Sequence, residues 1–178
     1  MKMSHIHEAL LTESASTIIF VDFDETIGHI NPKEVGEGVE VIEVESPRGM
    51  AKVAMRHGWK EFLHALNGLD HNGDVKIYSG GGGQLVFPVL LGLHKDLSFV
   101  SLLKTSEIKE YIQSHPHSIL IDENLMEVYT AHKLKRVGLT IDNLVQVKPF
   151  RGQMDNELAS ALQSVKQKIR NLETKHKI

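Results

Sequence analysis

The sequence predicts an α/β domain in which a central parallel β-sheet is flanked by helices. Short apolar runs alternate with helical patterns along most of the chain, which is typical of βαβ units. The runs are rich in β-branched residues, as expected for strands that are buried on both faces. Polar or acidic residues directly follow several of these runs. In a parallel sheet such residues meet at the carboxyl ends of the strands, where functional sites form.

The first third of the chain predicts a central strand and a β-hairpin. Residues 17–21 form a β-branched and aromatic run, and the acidic residues that follow mark its end. A loop rich in glycine and proline at 31–38 leads to segments at 39–45 and 50–55, which predict a half-exposed hairpin. We expect this hairpin to be an insert at about residues 29–57.

The rest of the chain alternates between helices and strands. Large apolar residues at i, i+3, i+4 and i+7 predict one face of a helix, namely Trp59, Phe62, Leu63 and Leu66. Further strands are predicted at 75–78, 98–102, 119–121 and 144–147. Further helices are predicted before residue 93, after the glycine run 80–83, and at 106–113, 125–134 and about 156–175.

Length and composition predict a single domain and exclude several classes of protein. The 178 residues are expected to form one unit, residues 1–178. The 20 Lys and Arg residues against 23 Asp and Glu residues give a net charge of −3, so no broad basic surface is available for a nucleic-acid partner. Cysteine is absent, which excludes thiol nucleophiles, thiolate zinc sites and disulfides.

Nothing in the sequence predicts a transmembrane segment. The longest apolar stretch, 85–93, is about half as long as a membrane-spanning helix, and residues 1–16 lack the apolar core of a signal peptide. We therefore expect a soluble, cytoplasmic protein. Delivery to another cell as a secreted effector, without a cleavable signal, stays open as an alternative.

Polar residues that could carry chemistry follow four of the apolar segments: Asp22 and Asp24, Ser79 and Gly80, Lys104, and Asp122 and Glu123. Taken singly, each group has an ordinary structural explanation as a turn residue, a loop or a surface charge. Taken together, they supply acids for a hard divalent cation, a hydroxyl and amides for phosphate oxygens, and a positive charge. These are the groups required for phosphoryl transfer to an aspartate.

The order of these groups resembles the haloacid dehalogenase (HAD) superfamily of aspartate-nucleophile phosphatases. Residues 22–26, Asp-Phe-Asp-Glu-Thr, are similar to the Asp-Leu-Asp-Glu-Thr signature of its FCP/SCP-like branch, the NIF-type or CTD phosphatases. Residues 56–63 resemble that branch's Arg-Pro-Gly-x-x-Glu-Phe-Leu segment, and residues 147–150 and 155–158 resemble its closing segment. The resemblance covers about residues 17–165 and implies an HAD-like Rossmannoid fold.

The sequence departs from the family pattern at three places. Ser79-Gly80 stands where the family usually has Thr-Ala, and Asp122-Glu123 where it has Asp-Asp or Asp-Asn. The longer Glu123 side chain leaves open whether Asp122 or Glu123 is the main metal ligand. Arg56-His57 lacks the family's proline, which we expect to be structural.

The resemblance implies a Mg²⁺-dependent phosphatase that forms an aspartyl-phosphate. Asp22 is then the nucleophile, and Mg²⁺ is held by Asp22, by the backbone carbonyl of Asp24 and by Asp122 or Glu123. Asp24 is the general acid and base, and Thr26 holds Asp24 in place. The transferring oxygens bind to Ser79, to the amide of Gly80 and to Lys104.

The substrate is expected to be a phosphorylated protein. The segment between residues 26 and 74 is too short and too β-like for the large helical cap that covers small metabolites in other HAD branches. The FCP/SCP-like branch acts most often on phosphoserine, whereas some lidless relatives, including bacterial effector phosphatases, prefer phosphotyrosine. Two alternatives stay open, a small-molecule phosphatase of the same fold and a non-catalytic pseudophosphatase that docks phosphoproteins.

The final helix carries apolar residues at alternating spacings of four and three: Leu158, Leu162, Val165, Ile169 and Leu172. We expect the first three to pack against the sheet. Ile169 and Leu172 are candidates for a contact with a partner.

Overall fold

The computed structural model describes residues 17–46, 49–69, 74–79, 89–93, 101–115, 117–124, 136 and 138–175. Its strands are β1 Ile18–Asp22, β2 Gly28–Ile30, β3 Glu40–Ser46, β4 Gly49–Met55, β5 Asp74–Ser79, β6 Ser101–Lys104, β7 Ile119–Asp122 and β8 Leu144–Gln146. Its helices are α1 Trp59–Gly68, α2 Thr105–Ser114 and α3 Glu157–Lys175, with a helical segment at 89–93 and a 3₁₀ turn at Ile141–Asn143.

Among the described residues, the main sheet has five strands in the order β6-β5-β1-β7-β8, and every neighbouring pair is parallel. All five residues of β1 are buried, as the apolar run of this strand predicted. Val21 of β1 pairs with Ile77 on one side and with Ile121 on the other. The carboxyl ends of the three central strands therefore lie side by side.

Two apolar clusters cover the two faces of this sheet. One cluster joins Ile19 and Val21 of β1 to the buried faces of α1 and α3. The other joins Ile18 and Phe20 to α2. Helices thus lie on both faces, and the predicted fold class is confirmed.

The segment between β1 and β5 forms a second, antiparallel sheet in the order β2-β4-β3. The predicted hairpin is β3 and β4, whereas β2 was missed because three residues, Gly-His-Ile, carry too little alternation to be recognised as a strand. Val44, Val53 and Met55 turn inward and join the same apolar cluster as α1. In the part of this segment that the structure describes, α1 is the one helix, and it packs in the core, so no large helical cap is formed there.

The final helix packs along the body of the protein over most of its length. Leu158, Val165 and Leu172 are buried, and Ile169 packs against the same cluster. Lys175, in the last turn, forms an ion pair with Asp142 of the 3₁₀ turn. The expectation that Leu172 is left for a partner is therefore corrected, because Leu172 is buried in the intramolecular core, whereas a partner contact at the half-buried Ile169 stays a prediction.

Some sequence-based expectations lie outside the described residues. These are the helix at 125–134, the glycine run at 80–83 and the segment 1–16. Among the helices that the structure describes, none combines the length and the apolar character needed to cross a membrane.

Candidate active site

A tight turn directly after β1 holds the first acidic residues at the end of the sheet. The carbonyl of Phe23 accepts hydrogen bonds from the amides of Ile27 and Gly28 at 2.9 and 3.1 Å. Glu25 adopts a left-handed φ of 60°, which is uncommon for a residue with a side chain and allows the chain to reverse. Asp24 and Gly28 then form a β-bridge that leads into β2.

Three carboxylates converge at the carboxyl ends of β1 and β7. Asp22, Asp122 and Glu123 each place one oxygen within 4.8 Å of the others. The parallel pairing of Val21 with Ile121 causes this, because it brings the next residue of each strand side by side. Asp22 is the most deeply buried of the three, with 4% of its surface exposed.

The hydroxyl of Thr26 lies between two of these carboxylates. Its Oγ1 is 3.3 Å from Asp22 Oδ2 and 3.1 Å from Glu123 Oε2, so it can donate its proton to either. The sequence assigned Thr26 to Asp24 instead. Thr26 lies in the turn after β1 and is fully buried, and its hydroxyl contacts Asp22 and Glu123.

Tyr78 is a site residue that sequence reasoning missed. Its hydroxyl donates to Asp122 Oδ2 at 2.6 Å, and the amide of Asn124 donates to Asp122 Oδ1 at 2.9 Å. Both oxygens of Asp122 are thereby oriented. The sequence did contain a signal for Tyr78, because this residue with a polar tip immediately precedes Ser79 at the end of a predicted strand. In the structure Tyr78 is the register partner of Asp22.

The acidic cluster changes the protonation of Glu123. Burial raises the pKa of Glu123 from its ordinary value of 4.5 to about 7, and its hydrogen bond to the Asp122 carboxyl adds to the increase. Neighbouring carboxylates cannot all be charged in a partly buried site without a cation. Three carboxylates with hard oxygen donors are a donor set that fits Mg²⁺.

The side chain of Asp24 lies apart from this cluster. Its Oδ1 is 3.4 Å from the amide nitrogen of Ile30 and 3.5 Å from Nδ1 of His29. With 41% of its side chain exposed, Asp24 is accessible from solvent while Asp22 is not. The two aspartates of the Asp-x-Asp motif therefore occupy different environments.

Arg56 connects the site to the rest of the molecule and is fully buried. Its Nη1 donates to the carbonyl of Thr26 at 3.0 Å, and its Nη2 donates to the carbonyl of Lys148 at 2.9 Å. Its Nε and Nη2 also donate to the carboxylate of Asp155 at 2.9 Å each. Burial acts to raise the pKa of Asp155, but the hydrogen bonds from Arg56 and from the Glu157 amide outweigh burial and hold this pKa below its usual range.

The predicted phosphate-binding residues are placed by their backbone. Ser79 and Lys104 are register partners at the ends of β5 and β6, on the side of β1 opposite β7. Their side chains, and the whole of Gly80, lie outside the described part of the structure.

Comparison with known proteins supports the fold. No family model and no curated protein matches the sequence. A solved structure of the fission yeast RNA polymerase II CTD phosphatase Fcp1, a variant bound to beryllium fluoride, has a TM-score of 0.52 and 15% identity, covering 97% of this chain and 55% of its own. Another structure of Fcp1, described as an essential RNA polymerase II CTD phosphatase, has a TM-score of 0.49 and 15% identity, covering 97% and 53%.

This chain thus spans about half the length of the Fcp1 structures. The first likeness confirms an HAD-like Rossmannoid fold and, at the level of fold, the resemblance that the motifs indicated.

Proposed function

We propose that this protein is an HAD-type phosphatase that hydrolyses phosphate esters on proteins, with Asp22 as the nucleophile and Mg²⁺ as the cofactor. The observation that carries the proposal is the meeting of Asp22, Asp122 and Glu123 at the carboxyl end of an HAD-like sheet. Catalytic sites of open α/β sheets form at this edge.

The proposed metal site uses the three clustered carboxylates together with the backbone carbonyl of Asp24. When bound there, Mg²⁺ would neutralise the repulsion between the nucleophile and the phosphate. The protein's own contribution is to hold the ligands: Tyr78 orients Asp122, and Thr26 contacts both Asp22 and Glu123.

The proposed reaction has two steps. An oxygen of Asp22 attacks phosphorus, the bond from phosphorus to the ester oxygen breaks, and Asp24 gives its proton to the departing alcohol or phenol. Asp24 then accepts a proton from a water molecule that attacks the aspartyl-phosphate and releases inorganic phosphate. The separate and more exposed position of Asp24 supports this division of roles, because the leaving group must depart toward solvent.

Ser79, the amide of Gly80 and Lys104 are proposed to bind the transferring phosphate oxygens. The register of β5 and β6 supports this role, because it aligns Ser79 with Lys104 at the carboxyl edge of the sheet. A hydroxyl, an amide and an ammonium would together stabilise the charge that develops on phosphorus-bound oxygen.

The segment between β1 and β5 favours a protein substrate, because it forms a small sheet where other HAD branches have a large helical cap. The described residues between β1 and β5 form the small sheet and α1, which packs in the core, so they form no large helical cap. A site without such a cover can accept a phosphorylated side chain on a large molecule. Phosphoserine, phosphothreonine and phosphotyrosine are all candidates, and Fcp1, the protein of similar fold, is described as a CTD phosphatase.

The test is phosphate release from matched phosphoserine, phosphothreonine and phosphotyrosine peptides, with Mg²⁺ or with a chelator. We expect metal-dependent turnover that Asp22→Asn abolishes, whereas Asp142→Asn, at an exposed ion pair, retains it. Clear preference for sugar phosphates or nucleotides would replace the protein substrate with a small molecule. Absence of turnover from every substrate would leave the docking pseudophosphatase.

A further inference from the structure

The side chain of His29 lies beside Asp24 and has no role in the mechanism proposed above. It lies in β2, five residues after Asp24, and its Nδ1 is 3.5 Å from Asp24 Oδ1. This ring nitrogen is buried and has no hydrogen bond within the described part of the chain. A buried ring nitrogen without a partner is unfavourable, so its position calls for an explanation.

The backbone around His29 is held from two sides. β2 is paired with β4, with His29 opposite Ala54, so the residue cannot shift along the sheet independently. On the other side, the Asp24–Gly28 bridge and the 2.7 Å hydrogen bond from the Glu25 amide to the Gly28 carbonyl close the turn. The hydrogen-bonded backbone on both sides of His29 therefore holds the imidazole next to Asp24.

We propose that His29 is a positioning residue for Asp24, with Nδ1–H donating a hydrogen bond to Oδ1 of the carboxyl group. This inference rests on the proposed function, in which Asp24 is the general acid and base. The distance of 3.5 Å is longer than a formed hydrogen bond, and such contacts commonly shorten when a substrate occupies the site.

The contact strengthens as the reaction proceeds. When the ester bond breaks, Asp24 transfers its proton to the leaving oxygen and becomes a carboxylate. A hydrogen bond to a carboxylate is stronger than one to a neutral carboxylic acid, so the Nδ1–H group stabilises the product of proton transfer. The Ile30 amide, 3.4 Å from the same oxygen, anchors Asp24 in parallel but lies in the backbone.

Variants that preserve or remove the donor at Nδ1 test this role. In His29→Asn the amide nitrogen takes the place of Nδ1, in His29→Gln it takes the place of Nε2, and His29→Ala has no donor. The substrates are phenyl phosphate, whose leaving group needs a proton, and p-nitrophenyl phosphate, whose leaving group departs without one. The measured quantity is kcat/KM, which reports transfer of the phosphoryl group to Asp22.

We expect His29→Ala and His29→Gln to lower kcat/KM for phenyl phosphate by about tenfold or more, with a much smaller loss for p-nitrophenyl phosphate. His29→Asn is expected to restore most of the activity. In an Asp24→Asn background, His29→Ala should cause no further loss, because the group it positions is already gone. His64→Asn, at an exposed histidine of α1, is the matched control and should leave both substrates unaffected.

Equal losses for both substrates in the Ala, Gln and Asn variants would show a purely structural role and overturn the inference. Unchanged kinetics in His29→Ala would also overturn it while leaving the proposed function intact. An inactive wild type would overturn the proposed function, and this inference with it.

Discussion

Hydroxyl groups of neighbouring residues hold the clustered carboxylates in position through hydrogen bonds. Thr26 contacts Asp22 and Glu123, and Tyr78 orients Asp122. Like charges this close repel one another, and hydrogen bonds donated to the carboxylates offset part of that repulsion. If these carboxylates hold Mg²⁺ as proposed, the residues that orient them should contribute strongly to metal affinity.

Tyr78→Phe is predicted to weaken Mg²⁺ binding by about tenfold or more, because Asp122 loses the hydrogen bond to Oδ2 while the ring still fills the core. Isothermal titration calorimetry with Mg²⁺ measures the affinity directly, and the metal dependence of phosphate release measures it in turnover. Tyr111→Phe, which changes a half-buried tyrosine within α2, is the control. Equal Mg²⁺ affinity in Tyr78→Phe and wild type would contradict the prediction.

Glu123 is predicted to make the metal-free protein less stable as pH rises. Its pKa is raised to about 7 in the folded state, so folding keeps a proton that the unfolded chain loses near pH 4.5. The stabilisation is complete below pH 4.5 and is lost as pH rises through about 7. Melting temperatures with a chelator should therefore fall more steeply over this range in wild type than in Glu123→Gln.

Added Mg²⁺ should reverse this trend, because a metal bound at the proposed site would displace the proton from Glu123 and would bind better at higher pH. The rise in melting temperature on adding Mg²⁺ should be larger at pH 8 than at pH 5. Parallel pH curves for wild type and Glu123→Gln in the chelator would show that Glu123 does not retain the proton.

At the scale of elements, Arg56 joins three separate segments around the site. It contacts the turn after β1 through Thr26, the segment after β8 through Lys148, and the start of α3 through Asp155. The ring of Phe150 also lies 5.4 Å from the guanidinium carbon. The sequence singled out Arg56 only as part of a motif, because its three partners are far apart in the chain.

Asp155→Asn is predicted to lower the free energy of unfolding by about 3 kcal/mol, since a fully buried guanidinium loses its charged partner. Urea denaturation at pH 7 measures the change. The exposed pair of Asp142 and Lys175 is the control, and Asp142→Asn should have little effect because solvent screens exposed ion pairs. Equal changes in the two variants would contradict the prediction.

The Asp155 effect should also depend on pH. The pKa of Asp155 is depressed in the folded state, so its stabilisation is present above its ordinary value of 3.8 and is lost as pH falls through the lower, folded pKa. The difference in unfolding free energy between wild type and Asp155→Asn should therefore shrink in strong acid. A difference that stays constant down to pH 2 would show that the charge of Asp155 is not the cause.

At the scale of the whole molecule, both sheets contribute to one apolar cluster. Val44, Ala51 and Val53 of the small sheet belong to the same cluster as Ile19 and Val21 of the main sheet. Gly92 shows how closely the helical segment 89–93 packs against the small sheet, because a side chain there would collide with Val44. Within the described residues the two sheets therefore share one core, and that residues 1–178 form a single domain stays a prediction.

Thermal unfolding is predicted to occur in a single transition, because the buried apolar residues described in the small sheet belong to the core that it shares with the main sheet. Trp59, the one tryptophan, donates to Glu40 of β3 at 2.9 Å, so its fluorescence reports on the junction of α1 with the small sheet. The far-ultraviolet circular dichroism reports on the main sheet and helices. The two melting curves should coincide, and an earlier fluorescence transition would show that the small sheet unfolds separately.

The sequence by itself determined the strands and helices with strong apolar periodicity and the acidic residues at their ends. β1, α1 and the acids Asp22 and Asp122 could be predicted because each signal lies within a few neighbouring residues. The order of the motifs along the chain predicted the fold, which the structural comparison confirms.

Only the tertiary structure decided which side chains meet. β2 depends on pairing with β4, and the contact of His29 with Asp24 depends on β2. Likewise, Thr26 contacts Asp22 and Glu123 because of the turn after β1 and the parallel register with β7. Local pattern encodes which face of an element is apolar, whereas contacts between distant residues follow from the register in which the elements pack.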